Sequence, residues 1–233
     1  MPVTIQLLRD QAYRLVLDMI LSGEINPSAP ISERKLAEKL DMGRTPVREA
    51  LRALARDGVV ETQLARGTYV RQLSQDNLRE VYQVRQALEG MAAYLAAENG
   101  PTKSLSEFGA RLKDMAANPD GYDGAQIDDV GAQFHSEIFK AAGNEMLLQV
   151  FEPLRLRFQI AFGLPRHHDP AGMRRSIVEH LEVLNAIESR DSAKAQRLMW
   201  EHLTQGLNVR LRIFESLSKE QATSAPANLK KNR

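Results

Sequence analysis

The chain has 233 residues, of which 43% are hydrophobic and 26% charged, so its composition is that of a folded globular protein and its length favours two domains. Its net charge of +1 argues neither for nor against a nucleic-acid partner, and the lack of cysteine excludes disulfide bonds and thiolate metal sites. Neither a long uncharged apolar run nor a signal-peptide pattern occurs, so we expect no membrane span and a cytoplasmic location.

The chain opens with two predicted helices. Apolar residues recur at helical spacing through 4–22, and Gly23 follows them as a helix-ending residue. Residues 25–30 contain two prolines and predict a turn. Ser32 is the predicted N-cap of a short second helix.

A third helix and a hairpin follow. Thr45 is predicted to cap this helix, and Pro46 to take its first position, where a missing N–H costs nothing. Residues 59–72 then hold two short β-favouring runs on either side of the letters LARG, which predicts a hairpin. Three helices with a tight second turn and a hairpin form a winged helix-turn-helix, which we expect over residues 1–73.

Helical periodicity returns at residue 74 and persists almost to the end of the chain. Helices are predicted at 75–98, 103–117, 125–142, 145–162, 171–189 and 191–217. We therefore expect an all-helical bundle over 74–218, large enough to enclose a ligand cavity, and a polar, disordered tail over 219–233. The predicted fold class is mostly α, with the winged helix-turn-helix in front of the bundle.

Two short motifs in the first domain carry a resemblance. The letters GRTPVREAL at 43–51 and ARGTYV at 65–70 resemble the GntR family of bacterial regulators, whose hallmark is an SRTPVREAL recognition helix and a wing that ends in RG. Gly43 departs from the family's usual serine. The resemblance covers the whole first domain and implies a transcription regulator that binds operator DNA. It implies six contact residues: Arg34, Arg44, Thr45 and Arg48, with Arg66 and Gly67 at the wing tip.

The arginines of the predicted recognition helix support this interpretation independently. Arg44, Arg48, Arg52 and Arg56 follow one another at four-residue steps, and each step overshoots a full turn by about 40°. Arg44 and Arg48 share a face at the helix end that enters the major groove, and arginine suits both guanine edges and phosphates. For Arg52 and Arg56, a solvated face paired with acidic neighbours is the better interpretation.

The second domain resembles the effector domain of the FadR-like branch of that family, the FCD type. The letters LREVYQVRQALEGMAAYLAA at 78–97, FHSEIFKAAGNEMLL at 134–148 and the stretch 176–203 carry the resemblance. In that branch an Asp or Asn and three histidines commonly hold one metal ion. Three histidines occupy the matching positions: His135, His180 and His202. The resemblance thus implies a divalent ion, and imidazole ligands favour Zn or Ni.

One position departs from the family's metal site. Gly131 stands where the family has its carboxylate, four residues before His135. Asp128 is the nearest acidic residue on that face. It lies seven residues before His135, a rise of about 10.5 Å along the helix, which is too far for a shared metal ion. Three alternatives remain open: three histidines holding a metal, a metal-free pocket in which they bind an anionic effector, and a metal whose shell is completed by water or by the effector's carboxylate. His167 and His168 lie in a predicted loop outside this set.

Arg85 has two interpretations. It can face the cavity and pair with an acidic effector. It can equally form an ordinary i,i+4 ion pair with Glu89. The sequence does not separate the two.

Two other function classes compete with a regulator. A metal-dependent enzyme is one, because three histidines with an open position also make a catalytic site. No HExxH, nucleophile elbow or Gly-rich phosphate loop occurs, and Glu179 and Glu201, direct neighbours of site histidines, are expected to face elsewhere. An architectural DNA binder is the other, and it would not need the bundle. We therefore predict a non-enzymatic homodimeric repressor on a pseudo-palindromic operator, relieved by a small organic acid.

Overall fold

The computed structural model describes residues 2–71, 74–118, 121–161 and 170–224. In chain order its elements are α1 (Pro2–Leu21), α2 (Glu33–Lys39), α3 (Arg44–Arg56), β1 (Val60–Gln63), β2 (Gly67–Val70), α4 (Gln75–Asn99), α5 (Lys103–Ala117), α6 (Gly124–Ala141), α7 (Glu145–Ala161), α8 (Pro170–Glu188) and α9 (Ser192–Ser224). The predicted fold class is confirmed: helices dominate, and β1 and β2 form a two-stranded antiparallel sheet.

The chain divides into two compact units. One holds Met1–Ser74 together with Val150–Gly163, and the other holds Gln75–Gln149 together with Leu164–Arg233. The division passes through α7, which the sequence interpretation assigned entirely to the bundle. The predicted DNA-reading residues belong to the first unit, and the three histidines belong to the second.

The first unit packs α1, α2, α3 and the hairpin around one apolar core. This core comprises Ala12, Val16, Met19, Ile20, Leu36, Ala37, Val47, Ala50, Leu51, Leu54, Val59, Val60 and Val70. In α1 and α3 they recur at steps of one, three and four positions, which places them on one face, as an amphipathic helix requires. A polar contact adds to this packing, because the Tyr13 hydroxyl donates to Asp57 Oδ2 at 2.7 Å and ties α1 to the C-terminal end of α3.

The helix starts in this unit confirm one prediction and correct another. Ser32 is the N-cap of α2, and its side chain accepts a hydrogen bond from a backbone N–H in the first turn. The prediction that Thr45 caps α3 is wrong, because the helix already begins at Arg44 and its N-cap is Gly43, which has no side chain to bond. Thr45 and Pro46 lie inside the first turn, where backbone N–H groups have no intrahelical partner and a proline is tolerated.

The predicted hairpin is confirmed. Val60 pairs with Val70 at its base, and Gln63 pairs with Gly67 next to the turn. Gly67 has φ +112°, a conformation that side chains rarely adopt, so the turn requires glycine there. Ala65 lies in the left-handed region at φ +60°, which is uncommon for a residue with a side chain.

The second unit is a helical bundle with α4 at its centre. Helix α4 packs against α6, α8 and α9, while α5 packs against α6 and α8. Close approach is helped by small buried residues on α4: Gly90, Ala92, Ala93, Ala96 and Ala97. The indole of Trp200 on α9 donates from Nε1 to the backbone oxygen of Gln86 at 2.7 Å and lies over Gly90.

Five of the six helices predicted after residue 74 begin and end within one residue of their predicted bounds. The last one, α9, continues to Ser224, beyond the start of the predicted tail at 219. The rest of that tail, residues 225–233, and the predicted loop with His167 and His168 lie outside the described residues. Within the described part of the chain, no helix is both long and apolar enough to cross a membrane.

We expect Gly90→Ala to destabilise the second unit. A Cβ at position 90 would lie 2.1 Å from Trp200 Nε1, and overpacking of this kind costs about 1–3 kcal/mol. Urea unfolding of the full chain measures the loss. On a Trp200→Ala background the same substitution should be neutral or stabilising, because alanine is the better helix former. Equal losses in both backgrounds would show that the indole is not the obstacle.

Candidate functional site

The start of α3 presents two arginines to solvent. Its buried face holds Pro46, Val47, Ala50, Leu51 and Leu54. Arg44 and Arg48 lie on the exposed face and form no ion pair within the described residues, whereas Arg52 is paired with Glu49 at 2.8 Å. The difference supports the separation of these arginines made from the sequence: the first two are available to an anion, and Arg52 belongs to a salt-bridged surface.

The other predicted DNA-reading residues lie on α2 and at the tip of the hairpin. Arg34 is exposed and pairs with Glu38 at 2.9 Å, an i,i+4 contact of about 0.3–0.5 kcal/mol that a phosphate could replace. Arg66 is exposed in the turn of the hairpin, beside Gly67. Leu64, which the sequence interpretation did not single out, is 97% exposed in the same turn.

Three helices of the second unit bring the predicted histidines together. His135 comes from α6, His180 from α8 and His202 from α9, and one nitrogen of each lies within 4.8 Å of the others. Their exposures are 9%, 3% and 8%. The two Nε2 atoms of His180 and His202 are 3.1 Å apart. We call this group the histidine triad.

Two carboxylates contact the triad at the Nδ1 atoms. His202 Nδ1 is 2.8 Å from Glu179 Oε2 in a hydrogen bond between α9 and α8. His135 Nδ1 is 2.6 Å from Glu89 Oε2 on α4, but the atoms are not aligned for a hydrogen bond. The expectation that Glu179 faces elsewhere is therefore wrong, because the side chain of this residue is directed at the neighbouring helix.

Burial raises the pKa of both carboxyl groups, but their charged neighbours leave them with opposite net shifts. Burial would raise the pKa of Glu89, but the adjacent Arg85 guanidinium, together with His135, outweighs it and lowers the pKa to about 2. Glu89 is therefore ionised at neutral pH. Burial raises the pKa of Glu179 to about 7, against a smaller opposing effect of Arg175. The triad thus adjoins one permanently charged carboxylate and one that gains or loses a proton near neutrality.

The donor set fits a divalent metal ion. A tetrahedral ion bound at about 2.0–2.1 Å needs nitrogens about 3.3 Å apart, and the His180–His202 pair already meets this spacing. Gly131 lies beside the triad, where a Cβ would be 3.1 Å from His180 Cε1. The glycine therefore leaves room for the imidazole where a larger residue would press on it. The side chain of Asp128 lies outside the described residues.

Arg85 forms the predicted ion pair with Glu89 and also lines a cavity. Its guanidinium is buried and pairs with Glu89, from Nε to Oε1 at 2.5 Å and from Nη2 to Oε2 at 3.2 Å. It also lines a small cavity that is partly open to solvent. The polar lining includes Tyr82, Arg85, Arg175, Ser176, Glu179 and His202. This cavity reaches the triad through His202 and presents arginines, so it suits a small anion.

Sequence reasoning missed several residues of this region. Glu89 entered only as the partner of Arg85, and Tyr82 and Arg210 did not enter at all. Arg210 on α9 is 1% exposed and donates from Nε to the Tyr82 hydroxyl at 3.0 Å. A buried arginine has no local signal in the sequence, because its partner is 128 positions away in the chain.

Comparison with protein families finds two matches that together span most of the chain. The model of the bacterial regulatory proteins of the gntR family matches residues 8–70. The FCD domain matches residues 80–205, which is more than half of the chain. The first match includes the helix-turn-helix and hairpin, and the second includes the whole histidine triad.

Individual relatives agree with these matches. The chain is 30% identical over 193 residues to a probable D-xylose utilization operon transcriptional repressor of Paenarthrobacter nicotinovorans, covering 83% of this chain and 84% of the relative. It is 26% identical over 202 residues to the HTH-type transcriptional repressor RspR of Escherichia coli, covering 85% and 86%. Among solved structures, E. coli McbR/YncC superposes with a TM-score of 0.73 at 25% identity, covering 89% of this chain and 98% of that one.

We expect Glu89→Ala to cost about 3–5 kcal/mol of unfolding free energy, because it leaves the buried Arg85 guanidinium without its carboxylate. Urea denaturation of the full chain measures this. Glu201→Ala is the matched control, since Glu201 forms the same i,i+4 pair with Arg197 on the exposed face of α9 and should cost less than about 1 kcal/mol. A similar small loss for both variants would mean that Arg85 reaches solvent through the cavity.

Proposed function

The chain belongs to the GntR family of bacterial regulatory proteins and carries an FCD domain, and on this premise we propose a function for its two units. It is a repressor whose operator affinity is controlled by a small organic acid bound in the helical unit. The observation that carries the proposal is the buried histidine triad beside an arginine-lined cavity, on a chain whose other unit is a winged helix-turn-helix. The names of two relatives, both repressors, support the direction of regulation.

The DNA-binding half of the proposal rests on α3. Its first turn would enter the major groove, where Arg44 and Arg48 have no acidic partner among the described residues to compete with the DNA. Thr45, in the same turn, offers its hydroxyl to a phosphate. Arg34 on α2 would contact the backbone, and Arg66 and Gly67 at the tip of the hairpin would approach the minor groove.

The sensing half rests on the cavity. A carboxylate that enters it meets the Arg175 side chain at the exposed side and Arg85 and His202 farther in. A divalent ion held by His135, His180 and His202, Zn or Ni by ligand type, would supply positive charge and an open position for the acid's oxygen. Of the alternatives left open by the sequence, we propose a metal ion whose shell is completed by the effector's carboxylate. It accounts for the close approach of His180 Nε2 to His202 Nε2 and for the glycine at position 131, where the family has a carboxylate.

Control of the operator follows from differential binding. We propose a homodimer that presents two recognition helices to a pseudo-palindromic operator in the cytoplasm. The acid binds one arrangement of the dimer better than the other, and operator affinity changes by the difference in binding free energy. We assign no reaction to the triad: the names of the relatives support a regulator over a metal-dependent enzyme.

Arg48→Ala should weaken operator binding by about 1–3 kcal/mol, or roughly 5- to 150-fold, because an arginine contact to a base edge or phosphate is lost. Fluorescence anisotropy with an operator selected from random DNA measures the Kd. Arg52→Ala is the matched control one turn farther along α3, since Arg52 is paired with Glu49 and should lose less than threefold. Equal losses would show that α3 does not use its N-terminal end to read DNA.

Elemental mass spectrometry should find close to one Zn or Ni per chain in protein purified without a nickel column. His135→Ala should abolish it, because two imidazoles remain of three. Ser136→Ala, the next position on α6, is the control and should retain the metal. If the unaltered chain binds no metal even after Zn is added, the triad must instead bind its anion directly.

A further inference from the structure

Glycine occupies position 131, where the family has a metal-binding carboxylate, but two other carboxylates contact the histidines of the triad. Glu179 Oε2 is hydrogen-bonded to His202 Nδ1 at 2.8 Å, and Glu89 Oε2 lies 2.6 Å from His135 Nδ1 without the alignment of a hydrogen bond. Both contacts come from a neighbouring helix, and both are made at the Nδ1 atom of the imidazole. Two of the three histidines therefore have an acidic partner behind them.

A carboxylate at Nδ1 determines where a neutral imidazole carries its proton. The ring has one N–H, and a carboxylate acceptor holds that N–H at Nδ1, so the lone pair is left on Nε2. In His202 the Nε2 atom is the one that lies 3.1 Å from His180 Nε2. The lone pair of His202 is thus directed into the triad, where a metal ion needs it.

The partly buried position of the Glu179 side chain calls for an explanation. Its side chain is 19% exposed, and among the described residues His202 is the partner with which it forms an ion pair. A glutamate at this position of α8 could extend into water, as the exposed Glu182 does on the same helix. Its partial burial carries a free-energy cost for the charged form, so extension into water would be the less costly arrangement.

We infer that Glu179 is a positioning residue of the triad: its contact at Nδ1 holds the His202 imidazole with an unprotonated Nε2 directed at the other histidines, while Glu89 lies at the corresponding atom of His135. The inference rests on the metal site proposed above. It explains how three histidines could suffice without a fourth protein ligand. The position beside Gly131 then stays open for an oxygen of the effector.

The test compares Zn affinities of full-length variants by competition with a chromophoric chelator. Glu179→Ala should bind Zn about 10- to 100-fold more weakly than the unaltered chain, the usual effect of removing a carboxylate behind a ligating imidazole. Glu182→Ala is the matched control, three residues farther along α8 and exposed, and should retain full affinity. Urea unfolding of the metal-free proteins should give similar midpoints for both variants.

A second readout follows the proton itself. Nitrogen-15 NMR of histidine-labelled, metal-free protein should show His202 protonated at Nδ1, and Glu179→Ala should shift this ring toward the Nε2–H form. Unchanged Zn affinity and an unchanged His202 tautomer in Glu179→Ala would overturn the inference and leave the metal site standing. An unaltered chain that binds no Zn would instead overturn the metal site, and the inference with it.

Discussion

Charge can be buried inside a helical bundle only where it is paired, and the second unit meets this condition with a chain of contacts from Arg85 through Glu89 to His135. Arg85 and Glu89 are one turn apart on α4, while His135 lies on α6. The pairing therefore couples the rotation of α4 to that of α6, and with it the direction in which the imidazole points. His180 and His202 come from helices that also pack on α4, so every helix that carries a histidine of the triad contacts the helix that carries this buried pair.

The first unit uses charge in the opposite way. Its core is purely apolar, and its arginines at the start of α3 stand in solvent without acidic partners among the described residues. An exposed cation of this kind has little effect on folding but remains available to a polyanion. The chain thus buries a charge pair, Arg85 with Glu89, in one unit and exposes Arg44 and Arg48 on the surface of the other.

Features that depend on local patterns were predictable from the sequence, and features that depend on how helices face one another were not. Apolar spacing placed the helices of the bundle to within a residue at most ends, and the family resemblance identified the three histidines. The cap of α3 was misassigned because Gly43 and Thr45 both suit a helix start. The contact of Glu179 with His202 was missed because residues adjacent in a helix point about 100° apart, and only the rotation of α8 against α9 decides which of them meets the neighbour.

The indole over Gly90 has one more consequence. Trp200 is the chain's single tryptophan, and it lies two positions from His202 on α9 while its N–H is bonded to α4. The contact between these helices therefore contains an intrinsic fluorophore, half exposed to solvent and hydrogen-bonded to the neighbouring helix. A rearrangement that slides α9 along α4 by more than about 1 Å would break this hydrogen bond and change the environment of the indole. The fluorescence of Trp200 can therefore be used to follow movements of α9, the helix that contributes both to the cavity and to the triad.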